Sequence, residues 1–428
     1  MVVLQFLITH VFGVAAIFLA LIALTGLLLQ KKSFSDIISG TFKTAVGVII
    51  LQQGAGILVG SILPLAGGIS AATPGGASAP SMADSLFMEM YAFEIGIAMI
   101  FGFLLNLLVA RFTKWKAVFL TGHMLYWFPF VFVAVGVTAG LTGVPLLIAS
   151  TLTTAIYYIV APNLVRPYVR DVTGDDSFTL GHPSTVFVLL GGFLAGKFGD
   201  KSKSTEDINI PSGLRFLKEI AISGSLLVMI TYAIVALILF LMGISPVEQF
   251  GLGEAAALFS FIIVSGITFG AGLTILLLGV RMMIAEIVPA FTGIQEKLIP
   301  KAIPAYDCPL LFPYAPNAVI IGFIISTIVS VIVIVITAPL GIFRYAVIPI
   351  VITCFFEVGT AAVVGNARGG RRGAYIASVA CGIVLVFLMG FSLPFVENTI
   401  ADWLLIFGGQ DFSLWAIIQG LILNVLPI

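Results

Sequence analysis

Two histidines that each follow a glycine are the residues in this sequence with the clearest chemical potential. They end the segments LTGH and TLGH, at His123 and His182, and the chain has only three histidines in all. Both lie in apolar surroundings, where an imidazole donates and accepts hydrogen bonds and so suits a neutral or weakly acidic polyol. The alternative interpretation is a structural histidine that bonds to a backbone carbonyl.

Carboxylates within apolar segments form a second set of candidates. Asp307 lies between prolines in the segment IPAYDCP. A buried carboxylate there needs a substrate hydroxyl, a cation or an arginine as its partner, or it caps the short helix that follows. Glu94 and Glu357 occupy similar places in the two halves of the chain. Either one binds substrate, or it pairs with Arg281 or a histidine for structure alone.

Side-chain amides and one tryptophan complete the candidates found from residue type. Gln52 and Gln53 lie in the middle of the glycine-rich apolar run GTFKTAVGVIILQQGAGILVGSILP. Their amides offer donors and acceptors to a ligand, or they bond to a neighbouring helix. The pattern around Trp127 favours packing or an interfacial position, with stacking on a sugar ring as the other option.

The segment Arg281–Asn317 concentrates charge and proline within an otherwise apolar chain. Its sequence is RMMIAEIVPAFTGIQEKLIPKAIPAYDCPLLFPYAPN, which includes six prolines. Unpaired backbone groups and charges are costly in lipid, so this segment must be shielded by other helices or line a water-filled cavity. Broken helices near the midplane form the substrate sites of many transporters. We therefore predict that the segment is one wall of a transport site.

The composition places the chain among polytopic membrane proteins. Of its 428 residues, 60% are hydrophobic and 9% are charged, and the mean hydropathy is +1.18. At about 20 residues a span, the apolar runs predict roughly ten to twelve embedded segments, some too short to cross. The formal net charge is zero, which gives no support to nucleic-acid binding. The three cysteines have no paired spacing, so the sequence predicts neither disulfides nor a metal site.

The order of the segments predicts a single transport domain over residues 1–428. We expect Phe6–Leu29 to be a true span, with Lys31 and Lys32 at its cytoplasmic end. Ala66–Ser85 is predicted to be an external loop or the tip of a re-entrant hairpin, and Val186–Leu194 one arm of such a hairpin. A weak similarity between residues 1–219 and 220–428 predicts an inverted repeat. No motif for ATP hydrolysis, zinc proteolysis or serine catalysis is present, so no catalytic residue and no cofactor is predicted.

Six segments taken together resemble a known family. They are GTFKTAVGVIILQQGAGIL, FLTGH, SFTLGH, GVRMMIAEIVPAFTGIQEKLIP, DCPLLFPYAPNAVIIGF and IPIVITCFFEVGTAAVVGN. In this order they resemble the membrane (IIC) component of the ascorbate-type phosphotransferase system. The similarity covers nearly the whole chain, and Gly279–Phe323 is its most specific part.

The resemblance implies an all-α polytopic membrane protein that acts as a homodimer. It implies about eleven transmembrane helices plus two re-entrant hairpins, with a core domain that moves against a V-shaped dimerisation domain in an elevator-like step. The sugar would be phosphorylated by a separate IIB protein, itself charged through IIA, so the permease carries no phosphorylated residue of its own. By position, the implied ligand residues are Gln52, Gly54, Ser81, His123, His182 and Asp307, with Glu357 as a further candidate.

The sequence departs from the family pattern at three places around this site. The glutamine expected after the first histidine is replaced by Tyr126-Trp127, and the second histidine is followed by Pro183-Ser184-Thr185 instead of glutamines. Glu357 stands where a serine is expected. Trp127, Ser184 and Glu357 are therefore the candidates to replace the missing contacts.

These observations predict a multi-pass permease of the bacterial or archaeal cell membrane (the inner membrane), in contact with lipid. Its predicted substrate is L-ascorbate or a related sugar acid or polyol, and its predicted partners are IIB and IIA proteins. The alternative is a free-standing transporter of a polyol or organic anion, in which Asp307, Glu94 or Glu357 couples transport to a proton.

Overall fold

The computed structural model describes residues 11, 14–72, 78–209, 213, 216, 219–297, 299–348 and 351–425. The helices of the first half are α1 Ala15–Leu29, α2 Phe34–Ala72, α3 Asp84–Met90, α4 Ala92–Phe112, α5 Met124–Thr138, α6 Gly143–Thr173 and α7 Thr185–Phe198. Those of the second half are α8 Ile220–Leu241, α9 Pro246–Gln249, α10 Ala257–Lys297, α11 Pro316–Thr337, α12 Gly359–Ser392, α13 Ala401–Phe407 and α14 Asp411–Val425. Three short strands join them: β1 Ala117–Phe119, β2 Thr179–Leu180 and β3 Ile303–Tyr306.

Helices long and apolar enough to cross a membrane dominate the described residues. Seven helical segments meet that standard, and four shorter apolar helices accompany them. Two of the shorter ones, α5 and α7, have 15 and 14 residues. At 1.5 Å per residue they extend only about 21–23 Å, less than the roughly 30 Å of a bilayer core. The structure thus confirms a polytopic, mostly helical membrane protein, while the count of about eleven spans and the two hairpins stay predictions.

One bundle is built from α1, α2, α8 and α10, which pack on one another. The long helices α2 and α10 run antiparallel and touch through glycines. A Cβ added at Gly54 would lie 2.4 Å from the backbone nitrogen of Leu276, and one at Gly279 would lie 2.3 Å from that of Leu51. Because only glycine allows the two backbones this close, these residues set the separation of the helices.

The second bundle contains α4, α5, α6, α7, α11, α12 and α14. Within it, α12 reverses direction at Gly369 and Gly370, where Gly370 adopts φ 58°. A Cβ at Gly365 would consequently lie 3.0 Å from the Cβ of Ala377, although the two residues are far apart in sequence. The reversal falls within the basic segment RGGRR, at residues 368–372.

A small parallel sheet interrupts the helical architecture. Its order is β1-β3-β2, and β3 pairs in parallel with both neighbours. These short strands are an addition to the predicted all-α architecture, with which the mostly helical structure is consistent. Strands of two to four apolar residues give no alternating pattern from which they could be recognised.

Two predicted boundaries also differ from the structure. The segment Arg281–Asn317 is not broken from its start, because α10 continues through Pro289 to Lys297. Only its second part, from β3 onward, is irregular. The predicted loop Ala66–Ser85 begins as helix, since α2 extends to Ala72, and it continues as extended chain over residues 78–83. Residues 73–77 of that loop lie outside the described residues, as do residues 6–10, 12 and 13 of the predicted span Phe6–Leu29.

Candidate functional site

The parallel sheet brings together the polar residues that are farthest apart in sequence. His182 follows β2 after one residue, Asp307 follows β3 directly, and His123 follows β1 after a short connection. The carboxyl ends of parallel strands meet at one edge of a sheet, which is where ligands bind in open parallel sheets. The three side chains therefore converge, although Thr121, just before His123, is 184 residues from Ala305, the residue to which its hydroxyl donates.

The two histidines lie on either side of Asp307. Nε2 of His182 is 3.5 Å from Oδ1 of Asp307, and Nε2 of His123 is 3.9 Å from Oδ2. The imidazole rings are 6.2 Å apart. All three side chains are buried. These two distances are longer than those of good hydrogen bonds. The nitrogen and oxygen atoms of the three side chains therefore face a common space.

Glu357 adds a second carboxylate to the same histidine. It lies in a π-helical turn, Cys354–Val358, just before α12; such turns occur often at functional sites. Its Oε1 is 3.6 Å from Nδ1 of His182 and 3.5 Å from Nε2 of Gln410. His182 thus lies between two buried carboxylates. The pairing of Glu357 with a histidine was one of the two roles that the sequence left open for this residue.

Carboxylates also hold the short helices around the site. Asp307 accepts a hydrogen bond of 2.8 Å from the backbone N–H of Cys308, so it caps the following turn as well as facing the cavity. Asp411 accepts from the backbone N–H groups of Thr185 and Val186, at 2.9 and 2.8 Å, and from the hydroxyl of Tyr157 at 2.7 Å. These bonds fix the start of α7 directly after His182.

A cavity of about 410 Å³ opens beside this cluster, within the usual range for small-ligand sites. It lies between the two bundles, because α2 and α10 contribute Gln52 and Leu276 while the second bundle contributes the histidines. Part of the cavity wall is aromatic. It is made of Trp127, Phe356, Trp403, Phe407 and Phe412.

Six of the predicted site residues line this cavity and four do not. Those that line it are Gln52, His123, Trp127, His182, Asp307 and Glu357. Gln53 is exposed on α2, and Gly54 packs against Leu276. Ser81 receives a hydrogen bond from the N–H of Asp402. Ser184 is buried beside His182 without lining the cavity. Glu94 and Arg281 are absent from the described lining as well.

Three lining residues with hydrogen-bonding side chains were not predicted from the sequence. Gln410 and Trp403 come from the last part of the chain, and Asp84 comes from the start of α3. Burial and the neighbouring carboxylate of Asp402 raise the pKa of Asp84 to about 6. The segment GGQD, at residues 408–411, places an amide and an acid within an apolar region. Polar residues in such a region are a sequence signal that could have identified Gln410 as a site residue.

The donor set also bears on metal binding. His123, His182 and Asp307 each offer one ligand atom, and these atoms lie within 4.8 Å of one another. Nitrogen and oxygen donors of this kind suit zinc and similar ions. The same atoms also match the donors and acceptors of adjacent hydroxyl groups on a sugar.

Comparison with known proteins identifies the family. A family model described as "PTS system sugar-specific permease component" (EIIC-GAT), where PTS denotes the phosphotransferase system, matches residues 10–411. The chain belongs to this family. Family membership and the apolar helices together indicate a multi-pass protein of the cell membrane. A permease of this family transports a sugar and works with IIB and IIA proteins.

One curated relative is the "Ascorbate-specific PTS system EIIC component" of Mycoplasma pneumoniae. It is 25% identical over 455 aligned positions, which cover 94% of this chain and 68% of the relative. The predicted resemblance to the ascorbate-type IIC component is thereby confirmed at the level of the family.

Proposed function

We propose that this permease translocates a small polyhydroxylated substrate, of the class that contains L-ascorbate, related sugar acids and polyols. The observation that carries the proposal is the buried cluster of His123, His182, Asp307 and Glu357 on the wall of the cavity. Four hydrogen-bonding side chains around one space suit a ligand with several hydroxyl groups.

The proposed mechanism is elevator-type alternating access in a homodimer. The cavity lies where two differently packed bundles meet, so a displacement of one bundle along the other would carry the site across the membrane. A separate IIB protein would phosphorylate the sugar as it is released into the cytoplasm. The distant ascorbate-specific relative supports this role.

A test of group translocation uses right-side-out membrane vesicles that contain the chain, its IIB and IIA partners, and the enzyme I and HPr proteins that pass the phosphoryl group from phosphoenolpyruvate to IIA. We expect radiolabelled substrate to accumulate inside as a phosphate ester when the vesicles are loaded with phosphoenolpyruvate. Vesicles without phosphoenolpyruvate are the control. Accumulation of unmodified substrate that does not depend on phosphoenolpyruvate would contradict the proposal.

The second candidate function is a free-standing, proton-coupled transporter. It is favoured by one observation, the placement of His182 between two buried carboxylates, because such groups exchange protons in membrane carriers. The same vesicles distinguish the two functions. A proton-coupled carrier would accumulate unmodified substrate, and a protonophore would abolish that accumulation.

A further inference from the structure

Two imidazole nitrogens and one carboxylate group converge at the carboxyl edge of the small sheet. Nε2 of His182 lies 3.5 Å from Oδ1 of Asp307, and Nε2 of His123 lies 3.9 Å from Oδ2. One donor atom from each of the three residues lies within 4.8 Å of the other two. Around a four-coordinate zinc ion with bonds of about 2.0–2.1 Å, neighbouring ligand atoms are about 3.3–3.4 Å apart. His182 and Asp307 already have nearly this spacing, and His123 reaches it by an inward movement of its side chain.

The chemical types of these donors select a class of metal ion. Imidazole nitrogens suit zinc, copper, nickel and iron, whereas magnesium and calcium prefer oxygen ligands. Two histidines and one acidic residue are also a known ligand set of zinc sites that keep a fourth position open. Binding of an ion displaces any proton from its ligands, so the site does not depend on which of these groups is charged beforehand.

Groups around the cluster hold two of the three residues in the orientation that a metal ion requires. A histidine ligand usually presents its second ring nitrogen to a carboxylate or a backbone carbonyl, and a carboxylate ligand is itself hydrogen-bonded. Nδ1 of His182 faces Oε1 of Glu357 at 3.6 Å, and Nε2 of Gln410 approaches the same oxygen at 3.5 Å. The N–H of Cys308 donates to Asp307 at 2.8 Å. The surroundings of His182 and Asp307 therefore match those of metal ligands.

The cluster is shielded by the protein and reached through the cavity. His123, His182 and Asp307 are 9%, 5% and 2% exposed, and all three line the cavity of about 410 Å³. Nδ1 of His123 and Oε2 of Glu357 are buried with no hydrogen-bond partner in the described part of the chain. Buried polar atoms without a protein partner often bind water or an ion. An ion held by the three residues would direct its fourth coordination position into the cavity.

We infer that His123, His182 and Asp307 form a binding site for a divalent transition-metal ion of the zinc class, and that the bound ion excludes the sugar. The exclusion rests on the proposed function, because the ion occupies the same atoms that would face the hydroxyl groups of a sugar. The cysteine spacing predicts no metal site. This site escapes local motifs because its three ligands lie in separate segments of the chain.

Metal binding to the purified protein tests the site, in detergent and after any polyhistidine tag and any bound metal have been removed. We expect calorimetry with zinc chloride to show one ion per chain, bound at least about tenfold more tightly than magnesium or calcium. Cobalt(II) should show the visible absorption of a four-coordinate ion. Zinc bound no more tightly than magnesium, or cobalt that keeps the spectrum of its six-coordinate hydrate, would overturn the inference.

Substitutions assign the ion to the cluster. His182→Ala and Asp307→Asn each remove one ligand, so zinc affinity should fall by more than the roughly 10–100-fold expected for Glu357→Gln, which removes an outer partner. His10→Ala is the matched control, because it removes the one other histidine of the chain, and its affinity should equal that of the wild type. Unchanged affinity in a monodisperse His182→Ala protein would contradict the assignment. If that variant does not fold, Asp307→Asn and the wild-type cobalt spectrum still decide it.

Competition is measured with the tightest of three ligands of the metal-free protein, L-ascorbate, galactitol and xylitol. At a free zinc concentration of about ten times its own dissociation constant, a competing ion raises the apparent dissociation constant of the sugar about elevenfold. Excess EDTA should restore the original value. A sugar affinity that zinc leaves unchanged would overturn the exclusion.

Failure of this inference is distinguishable from failure of the proposed function. If a sugar binds and is phosphorylated in the vesicle experiment but zinc does not bind, the proposed function stands and the metal site is wrong. If zinc binds to the cluster but none of the three sugars binds the metal-free protein, the metal site stands and the proposed substrate class is wrong.

Discussion

At the scale of single residues, the site depends on which side of a helix faces the cavity. Gln52 and Gln53 are adjacent on α2, yet only Gln52 lines the cavity, because successive helical residues point about 100° apart. From the sequence the two amides were equally good candidates. Which of the two faces the cavity depends on tertiary packing, because α10 covers the glycine-rich side of α2.

This pair gives a matched prediction. Gln52→Ala should weaken ligand binding about five- to tenfold, the effect of losing one hydrogen bond of about 1–1.5 kcal/mol. Gln53→Ala should leave affinity unchanged. Calorimetry with the tightest ligand of the wild-type protein measures both. Equal losses in the two variants would show that α2 presents a different face to the ligand.

The residues that the sequence identified best are those that apolar surroundings make conspicuous. His123, His182, Asp307 and Glu357 stand out because an ionisable group inside a membrane protein is costly unless it has a function or a partner. What the sequence could not give is their convergence. That depends on parallel pairing between β3 and two strands located far away in the chain, for which local patterns carry no information.

At the scale of elements, one glycine that the family resemblance implied to be a ligand residue has a structural role instead. Gly54 was an implied ligand residue, but it lies in the contact between α2 and α10, where a Cβ would be 2.4 Å from the backbone of Leu276. The sequence did show the glycine-rich run. It did not show whether a helix or a ligand approaches that run.

We expect Gly54→Ala to separate α2 from α10 and to destabilise the protein by about 1–3 kcal/mol, the usual cost of overpacking. Gly60→Ala on the same helix is the control, because a Cβ there meets nothing within 4 Å. Thermal unfolding in detergent compares the two variants. A Gly54→Ala protein as stable as the Gly60→Ala protein would contradict the packing role.

At the scale of the whole molecule, the two bundles meet at contacts that an elevator movement would have to break. The loop before His123 touches α1 and α10: a Cβ at Gly122 would lie 2.0 Å from Cδ1 and 3.1 Å from Cγ of Leu19, and 3.0 Å from Sδ of Met283. Phe18 and Phe103 form a second contact across the same boundary, with ring centroids 5.8 Å apart. If the site moves with the second bundle, these contacts hold in one state only.

A disulfide across this boundary tests the movement. In a Leu19→Cys/Gly122→Cys protein the two Cβ atoms would lie close to the 3.5–4.5 Å that a disulfide requires. We expect the oxidised protein to bind its ligand but not to transport it in proteoliposomes, and reduction to restore transport to the level of the single-cysteine variants. The three native cysteines are buried and are shared by all of these proteins, so they do not distinguish the samples. Undiminished transport by fully cross-linked protein would mean that the bundles stay fixed at this contact, and that access to the cavity alternates by a movement confined to one of them.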